Sequence, residues 1–334
     1  MAGKVVCRLG FDFTAAEKML TEAGAQLVRA PLWTEEDIIK YAADADAVIV
    51  GATDAYTKRV IQTLRKCRVI SRMGIGFNNI DVEEATRQGI PVTVVLDASV
   101  HEVSDHAMAF LLGFSRKIFP LAQAVRNGTW KAGSNEIIKV RGQMFRLNQQ
   151  TLGVVGVGRI GSRVVPKAQA FGMRVLGYDP YLSALELQQR GAEKTEFDQL
   201  LGESDFISLH APLSSETRRM FGMKEFRKMK PTAVIINTAR GALIDEQALY
   251  QALVEGAIAG AGLDVCEPEP PDPKNPLFQL EQVLVSGHSA FFSESSMLEL
   301  QQKATESVIA ALRGDWPPVL VNPEVKEQKN RRIG

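Results

Sequence analysis

The sequence predicts an α/β protein built from two doubly wound parallel sheets. Three observations lead to this prediction. The chain has 334 residues, which fits two domains of about 150 residues each. Short apolar runs alternate with amphipathic stretches twice along the chain, and a long capped helix separates the two alternations. The composition is 45% hydrophobic, and 39 basic side chains balance 39 acidic ones, which disfavours a disordered or nucleic-acid-coating protein.

Targeting and cysteine signals indicate a cytoplasmic protein. No apolar run approaches the roughly 18–20 residues of a membrane span, and residues 1–4 lead into a strand-like run without a cleavage signal. Cys7, Cys67 and Cys266 lack metal-ligand spacing, so they are expected to be reduced thiols. We therefore expect no bound metal, no membrane partner and no direct nucleic-acid partner.

The first alternation covers residues 4–95. Helices are predicted near residues 14–23 and 34–43, and the strand-like runs are KVVCRL, AQLVRA, AVIVGA, RVIS and IPVTVV. Strands separated by helices imply right-handed crossovers onto a parallel sheet, so this segment is predicted to form a first α/β unit.

A connector helix follows. Ser99 and Glu102 have the spacing of a capping box, and Pro120 is expected to end the helix. One apolar stripe is formed by Val103, Ala107, Leu111, Phe114 and Ile118. Residues 126–150 are polar and are predicted to be loop or short helix.

The second alternation begins at Thr151 and predicts a doubly wound sheet. Its six strand-like runs are LGVVGV, RVLGYD, FISLHA, AVIINT, IAGAGLDV and VLVSGH. A further helix is predicted over residues 293–312. The chain after that helix is too short for a third domain, so it is expected to pack on the other two.

The glycines of GVGRIG form a dinucleotide fingerprint. Gly156, Gly158 and Gly161 follow a strand and open a helix, where they allow a tight turn, close approach of a pyrophosphate and close helix packing. The alternative is an ordinary glycine turn. Pro166 lies inside the helix that follows, so a kink or an early break is expected there.

Asp179 ends the next strand, 18 residues after Gly161 (179 − 161), where a carboxylate binds both ribose hydroxyls. It would repel a 2′-phosphate, and Pro180 and Tyr181 offer no basic partner. The sequence therefore favours NAD over NADP, although an ordinary surface aspartate is the alternative.

A second glycine pair lies in MGIGFNN, residues 73–79. Gly74 and Gly76 follow a strand, but Asn79 stands where a third glycine would be, so this is no second nucleotide loop. Its backbone N–H groups predict either a nest for a small carboxylate or a plain tight turn.

Polar residues end the strands of the second sheet, where α/β proteins bind ligands. Arg240 is suited to two-point binding of a carboxylate, and the alternative is a salt bridge to Asp245. The full set of strand-end residues is Gly156, Asp179, His210, Arg240, Asp264 and His288.

His288 is one of four histidines and exchanges a proton near neutral pH. Glu267 and Glu269 are the nearby carboxylates that could tune it, unless they only form a solvated proline-rich loop. A cation, an imidazole and a carboxylate beside a nicotinamide site predict hydride transfer coupled to proton transfer at a carbon that bears oxygen.

Several motifs together resemble the D-isomer-specific 2-hydroxyacid dehydrogenase family. They are GVGRIG with YDP, NTARGALIDEQAL, GLDVCEPEP and GHSA, while SRMGIGFNNID and EVSDHAMAFLL extend the resemblance over nearly the whole chain. In that family the arginine after the NTA strand, the second glutamate of the EPEP turn and the late histidine are catalytic. The resemblance therefore implies Arg240, Glu269 and His288, and it selects Glu269 over Glu267.

The resemblance also implies binding residues. Asp264 would face the nicotinamide carboxamide, and the substrate carboxylate would contact Gly74, Ile75, Gly76 and Arg240. The implied NAD contacts are Gly156, Gly158, Arg159, Ile160, Gly161, Asp179, Pro180, His210, Ala211, Pro212, Thr217, Thr238, Ala239, Arg240, Asp264 and His288.

The family fold implies a Rossmann NAD-binding domain, residues 101–292, inserted in a flavodoxin-like substrate-binding domain of residues 1–100 and 293–334. Members are commonly homodimers joined through the NAD-binding domains. Gly287 stands where a proline usually precedes the histidine, which predicts a more mobile loop. GHSAFFSESS is closer to the branch that includes the C-terminal binding proteins.

The sequence thus predicts an NAD-dependent dehydrogenase of a small D-2-hydroxy acid. One alternative is an NAD(H)-sensing binding protein of the C-terminal-binding-protein type, although a pure binder would not need the three catalytic residues. Another alternative is a phosphoglycerate dehydrogenase. The GATD loop after the third strand has no basic residue to bind a phosphate, but Lys58, Arg59 and Arg72 lie near it in sequence, so this alternative stays open.

Overall fold

The computed structural model describes residues 3–10 and 12–334. The chain divides into two compact units, one formed by Met1–Ser99 with Ser293–Gly334 and the other by Val100–Phe292. Each unit contains its own parallel sheet. The predicted fold class, two parallel-sheet α/β domains, is confirmed.

Twelve strands are found in the described residues: β1 Gly3–Arg8, β2 Ala25–Ala30, β3 Ala47–Val50, β4 Ile70–Arg72, β5 Val92–Val94, β6 Thr151–Val155, β7 Arg174–Tyr178, β8 Glu193–Lys194, β9 Phe206–Leu209, β10 Val234–Asn237, β11 Gly260–Leu263 and β12 Val283–Val285.

The α-helices are α1 Thr14–Glu22, α2 Glu35–Ala42, α3 Lys58–Thr63, α4 Val82–Arg87, α5 Val100–Ser115, α6 Ile118–Arg126, α7 Glu136–Arg141, α8 Gly161–Ala170, α9 Ala184–Gln189, α10 Phe197–Glu203, α11 Met223–Phe226, α12 Glu246–Val254 and α13 Glu294–Arg313. Every helix in the described part of the chain is too short or too polar to cross a lipid bilayer.

The first unit has a five-stranded sheet in the order β2-β1-β3-β4-β5, which is the flavodoxin-like order. Val48 and Ile70, from neighbouring strands, are fully buried, as expected for a parallel sheet covered on both faces. The long helix α13 packs against β3 and β4, and the hydroxyl of Ser71 donates to the carbonyl of Ala304 at 2.9 Å. The C-terminal helix is therefore part of this unit.

The second unit has a seven-stranded sheet in the order β12-β11-β10-β9-β6-β7-β8. The order reverses at β6, so the crevice of a doubly wound sheet lies at its carboxyl end. Buried residues of α5 and α8 cover one face, and those of α10 and α12 cover the other. Both faces are thus apolar, which explains why β9 and β10 are fully buried and mostly apolar.

The structure differs from the sequence expectations at three places. The connector helix α5 ends at Ser115, not at Pro120, and Pro120 lies in the first turn of α6, where a missing N–H costs nothing. Helix α8 continues to Ala170 with Pro166 inside it, so the early break is absent, whereas a kink at Pro166 stays a prediction. The two-residue strand β8 was not predicted, because Glu193 and Lys194 carry no apolar pattern.

Candidate active site

Six strand-end residues lie at one edge of the seven-stranded sheet. Because the strands are all parallel, their carboxyl ends share that edge. Across the sheet the residues that follow the strands are His288, Asp264, Arg240, His210, Gly156 and Asp179. The turn at Gly156 therefore lies toward one side of the sheet, and Arg240 and His288 lie toward the other.

The three glycines of the loop after β6 meet different steric demands. Gly156 has a φ of 84°, and a Cβ there would lie 2.6 Å from the amide nitrogen of Ala211. A Cβ on Gly161 would collide with the carbonyl oxygen of Gly156. Gly158 has no heavy atom within 4 Å of its Cβ position, so its backbone is open to a ligand. A dinucleotide pyrophosphate fits this arrangement, in which Gly156 makes the turn, Gly158 leaves the backbone open and Gly161 allows close packing.

The carboxylate of Asp179 is held beside that loop. Its Oδ2 accepts from the amide of Val157 at 3.0 Å, and its Oδ1 accepts from the amide of Tyr181 at 3.1 Å. Each oxygen keeps a further lone pair for a ribose hydroxyl. Arg190, which the sequence did not single out, donates to the carbonyl of Val157 and so fixes the same loop.

Two buried polar atoms at neighbouring strand ends fit a bound cofactor. Burial lowers the pKa of the His210 imidazole to about 4, so the ring is neutral at pH 7. Its Nε2 pairs with the Ser208 hydroxyl at 2.8 Å, whereas its Nδ1 has no hydrogen-bond partner within the described residues. The hydroxyl of Thr238 is also buried without a partner in that part of the chain. Buried polar groups need partners, and a dinucleotide along this edge offers them.

The state of His210 makes unfolding pH-dependent. Between pH 6.5 and about 4 the unfolded chain binds a proton at this ring that the folded chain does not, so stability falls as the pH falls through that window. We expect His210→Gln to lose less stability than the parent protein between pH 7 and pH 5, measured by urea unfolding. His101→Gln, the same substitution at an exposed histidine, is the control. Equal slopes for all three proteins would contradict the prediction.

The remaining predicted cofactor contacts follow β6, β7, β9 and β10 at the same edge: Arg159, Ile160, Pro180, Ala211, Pro212, Thr217 and Ala239. The hydroxyl of Thr217 donates to the carbonyl of Pro212 at 2.6 Å and accepts from the amide of Ser214 at 2.8 Å. This pair of bonds closes the loop after β9.

Arg240 is fixed by a buried asparagine that the sequence analysis missed. Asn237, at the end of β10, is fully buried, and its side chain accepts from the amide of Ala239 at 3.0 Å and donates to the carbonyl of Arg240 at 2.8 Å. Burial lowers the pKa of the Arg240 guanidinium, and the nearby Glu269 carboxylate opposes that shift. Asp245, the alternative partner, instead caps α12 by accepting from the amides of Gln247 and Ala248.

Glu269 and His288 form a hydrogen-bonded pair, with 2.7 Å between Oε2 and Nδ1. The other oxygen of Glu269 accepts from the amide of Cys266 at 3.1 Å, which holds the carboxylate in place. Glu267 points elsewhere: its side chain pairs with Arg218 at 2.7 Å. The geometry therefore favours Glu269 as the carboxylate that orients the imidazole, in agreement with the resemblance.

Asp264 organises the loop that carries the histidine. It is 2% exposed, and its carboxylate accepts from the hydroxyl of Ser286 at 2.6 Å and from the amides of Ser289 and Ala290 at 2.8 and 3.0 Å. The amide of His288 donates to the carbonyl of Asp264 at 2.5 Å. One buried carboxylate thus ties down the residues on both sides of His288.

The loop has two consecutive left-handed residues, Gly287 with φ 64° and His288 with φ 55°. In the family that the sequence resembles, a proline usually precedes the histidine. Proline cannot take this conformation, because its ring holds φ at about −65°. Greater mobility of the loop stays a prediction.

We expect Gly287→Pro to lower kcat about tenfold or more, since it moves the imidazole away from Glu269. NADH binding, measured by fluorescence, should persist because the glycine turn is untouched. Gly287→Asn is the matched control: asparagine tolerates a left-handed backbone, and a Cβ at this position meets nothing within 4 Å. An active Gly287→Pro enzyme would show that this backbone is not required.

The predicted carboxylate loop, residues 74–76, lies in the other unit, after β4. The amide of Gly74 donates to the carbonyl of Arg72 at 2.9 Å, so it is not available to an anion. Ile75 and Gly76 donate no backbone hydrogen bond within residues 3–10 and 12–334. Only these two amides therefore fit the predicted nest, and the buried guanidinium of Arg72 lies beneath Gly74.

Chemically, the second unit offers two kinds of site along one edge. The glycine turn with Asp179 is suited to a dinucleotide, and the cluster of Arg240, Glu269 and His288 is suited to binding an anion and exchanging a proton with an oxygen.

Comparison with known proteins agrees with this chemistry. The profile of the D-isomer specific 2-hydroxyacid dehydrogenase NAD binding domain matches residues 108–290. The glyoxylate reductase of Korarchaeum cryptofilum is 40% identical over 300 residues, which cover 88% of this chain and 90% of that protein.

Two further similarities cover most of the chain. The D-3-phosphoglycerate dehydrogenase of Methanocaldococcus jannaschii is 38% identical over 94% of this chain, but the match spans only 59% of that longer protein. The structure of D-lactate dehydrogenase from Aquifex aeolicus, complexed with NAD and lactic acid, superposes with a TM-score of 0.82 at 28% identity, covering 95% of this chain and 98% of that one.

Proposed function

Because the chain belongs to the D-isomer-specific 2-hydroxyacid dehydrogenase family and is an NAD-dependent oxidoreductase, we propose that it reduces a small, unphosphorylated 2-oxo acid to the D-2-hydroxy acid. Arg240 binds the substrate carboxylate and polarises the carbonyl, His288 exchanges the proton, and Glu269 orients His288. The Glu269–His288 hydrogen bond of 2.7 Å carries this proposal.

The chemistry follows from which ring nitrogen is occupied. Nδ1 of His288 is bonded to Glu269, so Nε2 is the nitrogen left to serve the substrate. NADH, when bound, supplies the hydride chemistry. In the reducing direction, a protonated His288 gives its proton from Nε2 to the carbonyl oxygen, while Arg240 holds the carboxylate and the adjacent oxygen.

The Asp179 carboxylate and the open Gly158 backbone would hold the ribose and the pyrophosphate of NAD. The other predicted NAD contacts, among them Arg159, His210 and Asp264, follow strands at the same carboxyl edge of the sheet. We propose the unit Val100–Phe292 as the NAD-binding domain, and Met1–Ser99 with Ser293–Gly334 as the substrate-binding domain. Residues 75–76 are our candidates for a backbone contact with the carboxylate.

The loop after β3 favours an unphosphorylated substrate. Asp54 is 1% exposed, accepts from the amide of Gly51 at 2.6 Å and pairs with Arg8 at 3.0 Å. Because the Arg8 guanidinium is engaged by this carboxylate and residues 51–54 contain no basic side chain, the loop offers no unpaired cation to a phosphate dianion. Glyoxylate and hydroxypyruvate are therefore the substrates that we propose first, in line with the similar glyoxylate reductases.

The test is a spectrophotometric assay at 340 nm with NADH and glyoxylate, hydroxypyruvate, pyruvate, longer 2-oxo acids or phosphohydroxypyruvate. We expect oxidation with a small unphosphorylated acid at the highest kcat/KM. Loss of activity on replacement of Arg240, Glu269 or His288, with NADH binding retained, would support the assignment. Binding of NADH without turnover of any acid would overturn it and would favour the NAD(H)-sensing alternative, which nothing in the comparisons favours over the enzyme.

We also propose a cytoplasmic homodimer joined through the NAD-binding domains. The three cysteines are free and buried, as reduced thiols of the cytoplasm would be. A run of large apolar side chains is exposed in or near α6 and α7, where a second copy would cover it: Ile118, Phe119, Val125, Trp130, Ile138 and Phe145.

Charge placed in that apolar segment should separate the subunits. Trp130 is 74% exposed and Ile138 is 49% exposed, so Trp130→Glu with Ile138→Glu should leave each subunit folded. We expect light scattering to give the monomer mass for this double variant and the dimer mass for the parent. Val254→Glu is the control, because Val254 is an apolar residue of α12 in the same unit and is 58% exposed. A monomeric parent protein would refute the dimer.

A further inference from the structure

A chain of side-chain hydrogen bonds leads from the connector helix to the loop of His288. Nε2 of His106, on α5, lies 2.8 Å from the hydroxyl oxygen of Ser286. Ser286 in turn lies 2.6 Å from Oδ1 of Asp264, and the direct distance from His106 Nε2 to Asp264 Oδ1 is 3.9 Å. The His106 ring packs edge-on against Phe110, with 4.9 Å between ring centroids, and this contact fixes its orientation.

The number of hydrogens on each group gives this series of hydrogen bonds a direction. A serine hydroxyl has one hydrogen, and Ser286 donates it to the carboxylate of Asp264. The same oxygen can then only accept from His106. His106 must therefore carry a hydrogen on Nε2, and its ring acts as a donor in either the neutral or the protonated state.

The last acceptor of this series of hydrogen bonds is the Asp264 carboxylate, which holds the loop of His288. Asp264 accepts from Ser286 and from the amides of Ser289 and Ala290, so these three donors fix the orientation of its two oxygens. The amides belong to the two residues directly after His288. Rotation of the Asp264 carboxylate would release them and would let the imidazole leave Glu269.

We propose that His106 is a positioning residue of the active site: by donating through Ser286 it orients Asp264, which holds His288 against Glu269. This inference rests on the proposed function, because it assigns His106 to the same catalytic loop. Within the described residues His106 makes no hydrogen bond to His288 or Glu269; its Nε2 pairs with Ser286. The nearest alternative is a purely structural histidine that fills space beside Phe110.

The bond chain can be tested without activity. The full-length protein has four histidines, so nitrogen-15 NMR of its imidazoles can be assigned with His106→Gln as the reference. We expect the ring of His106 to carry its hydrogen on Nε2. In Ser286→Ala, the ring should no longer be held with its hydrogen on that nitrogen. A neutral ring with its only hydrogen on Nδ1 would overturn the proposal.

Kinetics separate positioning from packing. His106→Leu keeps the apolar bulk and removes the donor, and we expect kcat to fall about tenfold with the dissociation constant for NADH unchanged. His106→Gln restores an N–H donor near the Nε2 position and should recover most of that loss. His101→Leu, on the same helix but exposed, is the matched control. Equal losses for His106→Leu and His106→Gln, or none in either, would overturn the proposal.

The two kinds of failure are distinguishable. If the parent enzyme turns over a 2-oxo acid and the His106 variants match it, only this inference fails. If the parent turns over none, the proposed function fails, and the NMR result still decides whether the chain from His106 to Asp264 exists.

Discussion

Replacing His288 by asparagine should lower kcat for 2-oxo acid reduction by roughly 10²–10⁴-fold, the usual contribution of a positioned general acid. Asparagine removes the titrating ring but tolerates the left-handed backbone at this position, where φ is 55°. The loop amides bound to Asp264 are therefore expected to stay in place. The Kd for NADH should change far less than kcat, because the glycine turn and Asp179 lie toward the other side of the sheet edge and only the implied contact of His288 itself is lost.

Steady-state assays with the best acid of the substrate panel, together with NADH fluorescence titration, measure both quantities. His101→Asn replaces an exposed histidine of the same unit and should leave kcat unchanged. Turnover of His288→Asn at the parent rate would remove His288 from the chemistry. A parallel loss of NADH affinity would instead indicate a collapsed loop.

Replacing Gly161 by alanine should weaken NADH binding about 100-fold or more and destabilise the protein by about 3 kcal/mol, the upper end of typical overpacking costs. The added Cβ would collide with the carbonyl oxygen of Gly156, which is backbone and cannot rotate away. Either the glycine turn opens or helix α8 moves away from it. Both outcomes disturb the surface on which the pyrophosphate would lie.

Urea unfolding and NADH titration measure the two effects, and Gly202→Ala is the matched control. Gly202 lies in helix α10 of the same unit, and the only heavy atom near its Cβ position is the carbonyl oxygen of Lys228 at 3.9 Å. This variant should bind NADH normally and change the free energy of unfolding by no more than about 0.5 kcal/mol, because Gly202 is an exposed residue one position before the end of α10. Parent-like binding by Gly161→Ala would contradict the role given to the glycine turn.

Local sequence patterns identified most elements because burial and periodicity are local properties. The apolar run of β10 and the helix predicted over residues 293–312 match the structure, in which α13 spans Glu294–Arg313. The sequence predictions were wrong where a local pattern is weak or is typical of two different structures. Pro120 suits both the end of one helix and the first turn of the next, and only packing decides between them.

The candidate site divides in the same way. Gly156, Asp179, Arg240 and His288 could be selected because each is a distinctive residue at the end of an apolar strand. Asn237 gave a weak signal, as an asparagine that starts a turn. Ser286 and His106 gave none, since they are 180 residues apart in the chain and neither stands in a pattern specific to positioning.

The sequence by itself determined the two α/β units, the dinucleotide turn and the residue types of the reaction, because strand alternation, glycine spacing and strand-end polarity are written in consecutive residues. The tertiary structure alone decided which side chains support the reacting ones. Hydrogen bonds such as those from His106 to Ser286 and from Ser286 to Asp264 depend on distances that arise only when distant segments pack together.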